Sequence, residues 1–118
     1  MIILKIPRKV GDKDLREFIL NHIKKFRRNQ RHKYIKLQGE ISYSRDHVYF
    51  LFPNRALELA FALSILFKCR EHNISCTLEL SKPIKMEEVS KEIIECAERW
   101  SRRKLWRKCY KLKHMHLE

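Results

Sequence analysis

Four cysteines, at Cys69, Cys76, Cys96 and Cys109, are the residues of this chain best suited to redox or metal chemistry. No two of them stand at CxxC spacing, the short motif typical of zinc and thiol redox sites. A free cysteine packs as a small hydrophobic side chain. We therefore expect buried free thiols. The composition, rich in Lys, Arg and Glu with two glycines, is typical of thermophilic proteins, in which intracellular disulfides are less rare.

Two histidines near the C-terminus, His114 and His116, offer a second chemistry. With Cys96 and Cys109 they could supply four zinc ligands, but the spacing fits no closed structural zinc pattern. A group of carboxylates falls instead in the first turns of a predicted helix, where it favours the helix dipole: Glu87, Glu88, Glu92 and Glu95. The sequence contains no P-loop, no dinucleotide fingerprint and no nucleophile elbow. We therefore expect no enzyme activity, no cofactor and no metal.

Positive charge is the strongest feature of the composition. The 118 residues include 27 Lys and Arg against 14 Asp and Glu, for a net charge of +13. Most of the excess lies in two stretches without an acidic residue, 24–33 and 99–113, around a nearly neutral centre. Such clusters repel themselves and indicate a footprint for a polyanion, with a nucleic acid as the expected partner. The alternatives are a merely solvated surface, an acidic protein or a membrane surface.

The periodicity of apolar residues predicts the elements that carry these groups. Strands are predicted at residues 1–6, 34–41, 47–52 and 74–80, with a turn at 42–46. Helices are predicted from Asp12, as the N-cap, through a stripe ending at Phe26, from Arg55 to about Glu71, and from near Met86. The last helix changes phase after Trp100, so it either breaks near residues 101–104 or packs its far end on a different partner. The second helix is apolar almost all round, so the third helix or a second copy of the chain must cover its outer side.

The element order is β-α-β-β-α-β-α, and the strand alternation leaves one sheet face polar, as antiparallel sheets do. We predict an α+β protein, a ferredoxin-like split βαβ sandwich (β-α-β-β-α-β) with an extra C-terminal helix. Residues 1–83 would form the ferredoxin-like domain and residues 84–118 a basic helical extension packed on it. No apolar run is long enough to cross a membrane and no signal peptide is present. We therefore expect a cytoplasmic protein with no membrane partner.

The open face of this predicted sheet carries aromatic residues interleaved with basic ones. Aromatic rings can stack on bases for about 1–3 kcal/mol each, while Lys and Arg neutralise phosphates. This arrangement favours single-stranded nucleic acid as the ligand, although a single tyrosine on a strand also serves cross-strand packing. The residues assigned to this face are Ile3, Lys5, Tyr34, Lys36, Gln38, Arg45, His47, Tyr49, Thr77 and Glu79.

The stretch from Arg45 to Phe52 resembles the octamer motif on the third strand of RNA recognition motifs. Arg45, Tyr49 and Phe52 match that motif, and His47 provides a ring at its other stacking position. Residues 2–7 stand where the family has its hexamer motif, with Ile3 at the position of a stacking aromatic. Residues 14–18 and 78–83 are similar to the family's first helix and fourth strand. The resemblance covers residues 1–83 and implies an RRM-like fold that binds RNA on its sheet.

Two further resemblances point to nucleases. The hairpin and helix at residues 49–74 resemble part of a LAGLIDADG homing endonuclease domain, but the helix that would bind the catalytic metal is missing. His114, Met115 and His116 are similar to the paired histidines of HUH rolling-circle nucleases, yet they lie at the C-terminus and no tyrosine follows them. We therefore do not expect cleavage activity from either resemblance.

Together these observations predict a nucleic-acid-binding protein, for RNA or another single-stranded nucleic acid, that uses basic clusters and an exposed sheet face. The alternative is a dimeric protein-interaction or regulatory module, a homodimer through the second helix or the C-terminal helix, with a basic surface. The residues predicted to bind nucleic acid, RNA or DNA, are Lys24, Lys25, Arg27, Arg28, Arg31, Lys33, Tyr34, Lys36, Arg45, His47, Tyr49, Arg102, Arg103, Lys104, Arg107 and Lys108.

Overall fold

In the computed structural model, the described residues form a four-stranded sheet and three helices. The model describes residues 1–8, 13–31, 36–80, 90–101, 109 and 112, apart from the side chains at 14, 15, 29 and 80. The strands are β1 (Ile2–Pro7), β2 (Glu40–Tyr43), β3 (His47–Phe52) and β4 (Thr77–Leu80). The helices are α1 (Lys13–Gln30), α2 (Ala56–Glu71) and α3 (Lys91–Ser101). The sheet has the order β2-β3-β1-β4 with every neighbouring pair antiparallel, so the α+β class is confirmed.

The two faces of the sheet differ as the alternation predicts. Along β1 and β3 every second side chain is buried, including Leu4 and Phe50, which pair across the two strands. Helix α1 packs on this buried face, where the ring of Phe26 stands edge-on to Phe50 at 5.6 Å and to Phe52 at 5.5 Å. The other face of these two strands carries half-exposed side chains. This division of the sheet into a core face and an open face was predicted from the sequence.

Helix α2 is sandwiched between two layers: the sheet with α1 on one side and α3 on the other. Every residue from Ala56 to Leu66 is buried, because both sides of the helix are covered. The ring of Phe61 packs against Phe26 of α1 at 5.9 Å and against Trp100 of α3 at 5.5 Å. The third helix of the same chain therefore supplies the cover that the apolar sequence of α2 requires. In the described part of the chain, no helix combines the length and apolarity needed to cross a membrane.

The second strand begins later than predicted. The alternation at residues 34–41 predicts a strand there, but β2 is Glu40–Tyr43 and residues 36–39 lie outside it. Gly39 adopts a φ of +139°, and a Cβ at this position would lie 2.5 Å from the carbonyl oxygen of Leu51. The chain therefore bends at Gly39, and the N–H of Gln38 donates to Oε2 of Glu58 at 3.2 Å instead of joining the ladder. The prediction of a strand from residue 34 was wrong for residues 36–39.

Two other boundaries differ from the predicted ones. Strand β4 starts at Thr77 rather than Ile74, because residues up to Ile74 complete the C-terminal cap of α2, with the Ile74 N–H donating to the Cys69 carbonyl at 2.8 Å. Helix α3 starts at Lys91, where Ser90 acts as the N-cap by accepting from the Ile93 N–H. Residues 81–89, which include the predicted start near Met86, lie outside the described residues.

The cysteines depart most clearly from expectation. Cys96 and Cys109 form a disulfide, with Cα atoms 5.3 Å apart, so the prediction of free thiols was wrong for this pair. A disulfide leaves no thiolate to bind a metal, which also removes Cys96 and Cys109 as zinc ligands. Both are buried in the core, as is Leu112. Cys69 and Cys76 are free, the first buried and the second half-buried.

Candidate nucleic-acid interface

The exposed side of α1 carries the first basic cluster. Lys24, Arg27, Arg28 and Arg31 are all exposed. Their spacing of three, four and seven residues places them within an arc of about 100° on a helix that turns about 100° per residue. The apolar residues Ile19, Ile23 and Phe26 are buried against the core. Four of the predicted binding residues therefore form one basic face, which we call the α1 face.

The α1 face extends further toward the N-terminus than the sequence predicted. Lys13 and Arg16 are exposed on the same side of the helix, so the cations reach from residue 13 to residue 31, a length of about 27 Å at 1.5 Å per residue. Sequence reasoning passed over these two residues because Asp14 and Glu17 stand beside them. Helical spacing counted backward from Lys24 would have identified them.

Ion pairs do not neutralise the cations of the α1 face in the part of the chain that the structure describes, where none of Lys24, Arg27, Arg28 and Arg31 pairs with a carboxylate. Bases near a helix C-terminus gain about 0.3–1 kcal/mol from the dipole, which accounts for part of this charge. Like charges four residues apart, such as Lys24 with Arg28 and Arg27 with Arg31, instead cost about 0.2–0.5 kcal/mol per pair. The face therefore carries more positive charge than the helix itself needs.

Lys25 does not belong to this face. It is half-buried, and its Nζ donates to the backbone carbonyl of Trp100 at 2.7 Å. A lysine that hydrogen-bonds the last carbonyls of a helix stabilises that helix end. Lys25 therefore joins α1 to the C-terminal end of α3, and its contact with nucleic acid stays a prediction.

The second basic cluster follows α3 in the sequence, and the described residues on either side of it belong to α3 or are bonded to it. The predicted residues of that cluster, Arg102, Arg103, Lys104, Arg107 and Lys108, lie outside the described residues. Their two flanking positions are described: Ser101 ends α3 next to Trp100, and Cys109 is bonded to Cys96 of α3. Both ends of this segment are thus held on α3, whose C-terminal end contacts α1 through Lys25.

The remaining predicted residues near α1 divide into two groups. Lys33 and Tyr34 lie outside the described residues. Lys36 is exposed but stands in the segment before β2, so its predicted place on the sheet was wrong. Gln38, which was also assigned to the sheet, is held instead by its bond to Glu58. Of the residues predicted on the second strand, Glu40 is in the sheet.

The open face of the sheet presents two adjacent rows across its strands. In one row Lys5 stands between Tyr49 and Thr77, and the ring of His47 lies 6.1 Å from that of Tyr49. In the next row Ile3 pairs with Leu51 and with Glu79, and Leu51 pairs with Glu40. The predicted positions of His47 and Tyr49 are confirmed. Two exposed carboxylates at the edge strands make this face far less basic than the α1 face.

The turn between β2 and β3 is organised by a residue that the sequence did not single out. Arg45 is exposed in this turn, beyond the end of the strand. Arg8 holds the turn, since its Nη1 donates to the Ser44 carbonyl at 3.0 Å and its guanidinium lies 5.3 Å from the Tyr43 ring centroid. The antiparallel pairing of Pro7 with His47 brings Arg8 there. Arg8 is thus engaged in structure, while Arg45 remains available to a ligand.

The two candidate surfaces lie on different sides of the protein. Helix α1 packs on the buried face of the sheet through Phe26, and the cations of the α1 face point to solvent. His47, Tyr49 and Lys5 lie on the opposite face of the sheet. The structure therefore does not unite the basic cluster and the aromatic strand residues into one surface. The α1 face lies on the helical side, and the predicted residues of the second basic cluster lie outside the described residues.

The residue types that bind metals do not gather into a site within the described ranges. No group of three or more His, Cys, Asp and Glu side chains in the described ranges is arranged to hold a metal ion. His114 and His116 lie outside those ranges. Comparison of the chain with protein-family models, curated proteins and solved structures finds no match.

Proposed function

We propose that this protein binds RNA or DNA through phosphate contacts made by the α1 face, with the second basic cluster extending the same surface. One observation carries the proposal: Lys24, Arg27, Arg28 and Arg31 are exposed together on one side of α1 without carboxylate partners among the described residues. Lys and Arg that neutralise phosphates release counterions, which is the main source of sequence-independent affinity. A cytoplasmic nucleic acid is the polyanion that we propose.

The open sheet face has a secondary role in this proposal. Tyr49 and His47 offer rings to unpaired bases, in line with the resemblance to RNA recognition motifs, and Lys5 supplies one cation beside them. The flanking carboxylates Glu40 and Glu79 disfavour a phosphate backbone there. We therefore propose that phosphates bind on the helical side and that any contact with bases on the sheet adds less affinity.

The finer fold assignment is part of the same proposal. With β1 and β3 at the centre and β2 and β4 at the edges, each half of the chain contributes one central and one edge strand around a helix. This arrangement supports a ferredoxin-like split βαβ sandwich to which α3 is added as an extra layer.

The structure weakens one argument for the competing function, a dimeric interaction module. It relied on an uncovered second helix, but α3 of the same chain packs on α2, and residues 56–66 are buried. A dimer through the C-terminal segment would still fit the sequence, and its basic residues would then face an acidic partner. Nucleic acid remains the better-supported partner, because the exposed cations of the α1 face have no carboxylate partner among the described residues and would attract a polyanion in a monomer or in a dimer.

The experiment is fluorescence-anisotropy titration of single-stranded RNA, single-stranded DNA and duplex DNA at 50 mM salt. The test variant is Arg27→Ala/Arg28→Ala/Arg31→Ala, which removes three cations from the α1 face. We expect its affinity for the preferred polymer to fall about tenfold or more, since each lost phosphate contact forgoes its counterion release.

A matched control separates this surface from net charge. Lys68→Ala/Arg70→Ala/Lys91→Ala removes the same charge from positions on α2 and α3 that are not predicted to bind nucleic acid, and we expect a loss of less than about threefold. Absence of binding to all three polymers by the wild-type protein would overturn the proposal and favour the interaction module. Equal losses in the two triple variants would show that the α1 face is not the binding surface.

A further inference from the structure

The two free cysteines flank the connection between α2 and β4. Helix α2 ends at Glu71, and Asn73 takes a left-handed conformation with φ of 55°. The N–H of Ile74 then donates to the carbonyl of Cys69 at 2.8 Å. This cap folds the chain back along the last turn of α2, so that Cys76 returns to the side of the helix where Cys69 lies.

The cap brings the two cysteines together at the end of α2, and each shifts the pKa of the other. Cys69 is buried and Cys76 is half-buried. The interaction with Cys76 raises the pKa of Cys69, whereas the interactions with Cys69 and with the nearby guanidinium of Arg70 lower the pKa of Cys76. The partly exposed sulfur is therefore the one held closer to the thiolate form, which is the nucleophile in thiol chemistry.

We propose that Cys69 and Cys76 form a redox-active dithiol that closes to a second disulfide by exchange with a low-molecular-weight disulfide such as glutathione disulfide. The proposal does not depend on nucleic-acid binding. It rests on the cap that brings the two cysteines together, on their both being free, and on their unequal exposure.

The exchange proceeds in two steps. The Cys76 thiolate attacks one sulfur of glutathione disulfide, which forms a mixed disulfide and releases one glutathione thiolate. Cys69 then gives its proton to that thiolate and attacks the sulfur of Cys76, which displaces the second glutathione. Two protein thiols and one glutathione disulfide become one protein disulfide and two glutathione molecules, a two-electron oxidation of the protein.

The local structure permits the closure. Sulfur atoms in a disulfide lie about 2.05 Å apart, so the two free thiols must move toward each other to form one. Residues 74–76 belong to no helix or strand, and Cys76 precedes the first residue of β4. The required movement is therefore confined to a short connecting segment. Cys96 and Cys109 are already bonded to each other and buried, which leaves Cys69 as the resolving partner of Cys76.

The test is peptide mapping of the whole purified protein after incubation with glutathione disulfide. Remaining thiols are blocked with N-ethylmaleimide, and the chain is digested with trypsin without reduction. Trypsin cuts after Lys68 and Arg70, so Cys69 and Cys76 fall on separate peptides that stay together only if a disulfide joins them. We expect this linked pair in the oxidised sample and two alkylated peptides after mild reduction.

Single variants identify the order of events. Cys69→Ser should accumulate a stable glutathione adduct on Cys76, because the resolving thiol is gone, whereas Cys76→Ser should take up little glutathione on the buried Cys69. Three results would overturn the proposal: both thiols alkylated after oxidation, a lasting glutathione adduct on Cys76 in the wild-type protein, or linked peptides that join either residue to Cys96 or Cys109.

Discussion

A single carboxylate illustrates how one residue can determine local structure. Glu58 is buried in α2, where its Oε1 lies 2.9 Å from Nε of Arg55 and its Oε2 accepts from the N–H of Gln38. The contact with Arg55 is an ion pair whose angles do not make it a hydrogen bond. Glu58 thus anchors the segment before β2 to the start of α2. Burial raises the pKa of its carboxyl group, while Gln38 and Arg55 oppose that rise.

We predict that this carboxyl group makes stability depend on pH. A carboxyl group whose pKa is higher in the folded protein favours folding most below its unfolded pKa, near its ordinary value of 4.5. That contribution is lost as the pH rises through the folded value. The free energy of unfolding of the wild type, relative to Glu58→Gln, should therefore decrease from pH 4 to pH 7 in urea titrations. Glu92→Gln, at an exposed position, serves as the control, and a relative stability of the wild type that rises with pH would contradict the prediction.

At the scale of single residues, the sequence predicted which face of the sheet a side chain occupies better than it predicted backbone conformation and long-range contacts. The alternation along β1 and β3 correctly assigned Lys5, His47 and Tyr49 to the open face, because side chains of a strand alternate strictly. It could not predict the bend at Gly39, which depends on the approach of the Leu51 carbonyl from another strand. The Cys96–Cys109 bond was missed for the same reason, since no local motif signals a contact that packing creates.

Among the elements, α2 and α3 show how composition can predict packing. Helix α2 is apolar on all sides, and this required a covering layer, which α3 provides. The stripe of α3 that includes Ile93, Cys96 and Trp100 is buried, as its periodicity predicts. The starts of β2, β4 and α3 were less predictable, because caps and bends at element ends depend on bonds such as that from Ile74 to Cys69.

We predict that Trp100→Ala destabilises the protein by about 3–5 kcal/mol, the usual cost of truncating a buried tryptophan. The indole packs edge-on to Phe61, and its loss leaves a cavity between α2 and α3. Urea denaturation followed by circular dichroism measures the change. The control is Glu98→Ala, at an exposed position of the same helix, which should stay within about 0.5 kcal/mol of the wild type. Similar losses in both variants would mean that α3 is not a structural layer.

For the whole molecule, the distribution of charge matters more than its total. The net charge of +13 attracts any polyanion at long range, but this attraction is screened beyond about 8–10 Å at physiological salt. Only cations that contact phosphates release counterions. The structure gathers exposed cations along α1 and links the end of α3 to the same helix through Lys25. The sequence predicted the two clusters, but it could not predict that the first would lie on the helical side, with His47 and Tyr49 on the opposite face of the sheet.

We predict that the slope of log affinity against log salt reports the number of phosphate contacts made by the α1 face. A plot of log affinity against log salt should become shallower by about 2–3 in Arg27→Ala/Arg28→Ala/Arg31→Ala, since each phosphate contact contributes about 0.7–0.9. The Lys68→Ala/Arg70→Ala/Lys91→Ala control should keep the wild-type slope. The measurement is the same anisotropy titration repeated from 50 to 300 mM salt. An unchanged slope in the α1 variant would show that these arginines do not contact phosphates.

The disulfide between Cys96 and Cys109 has a topological consequence. It closes a covalent ring across a sequence separation of 13, and this ring contains many of the chain's sites for trypsin-like proteases, including those at residues 102–104 and 107–108. A single backbone cut inside the ring opens it but releases no fragment, because the two pieces stay joined through sulfur. The C-terminal piece can depart only after reduction, so the arginine-rich segment is protected from loss, although not from cleavage.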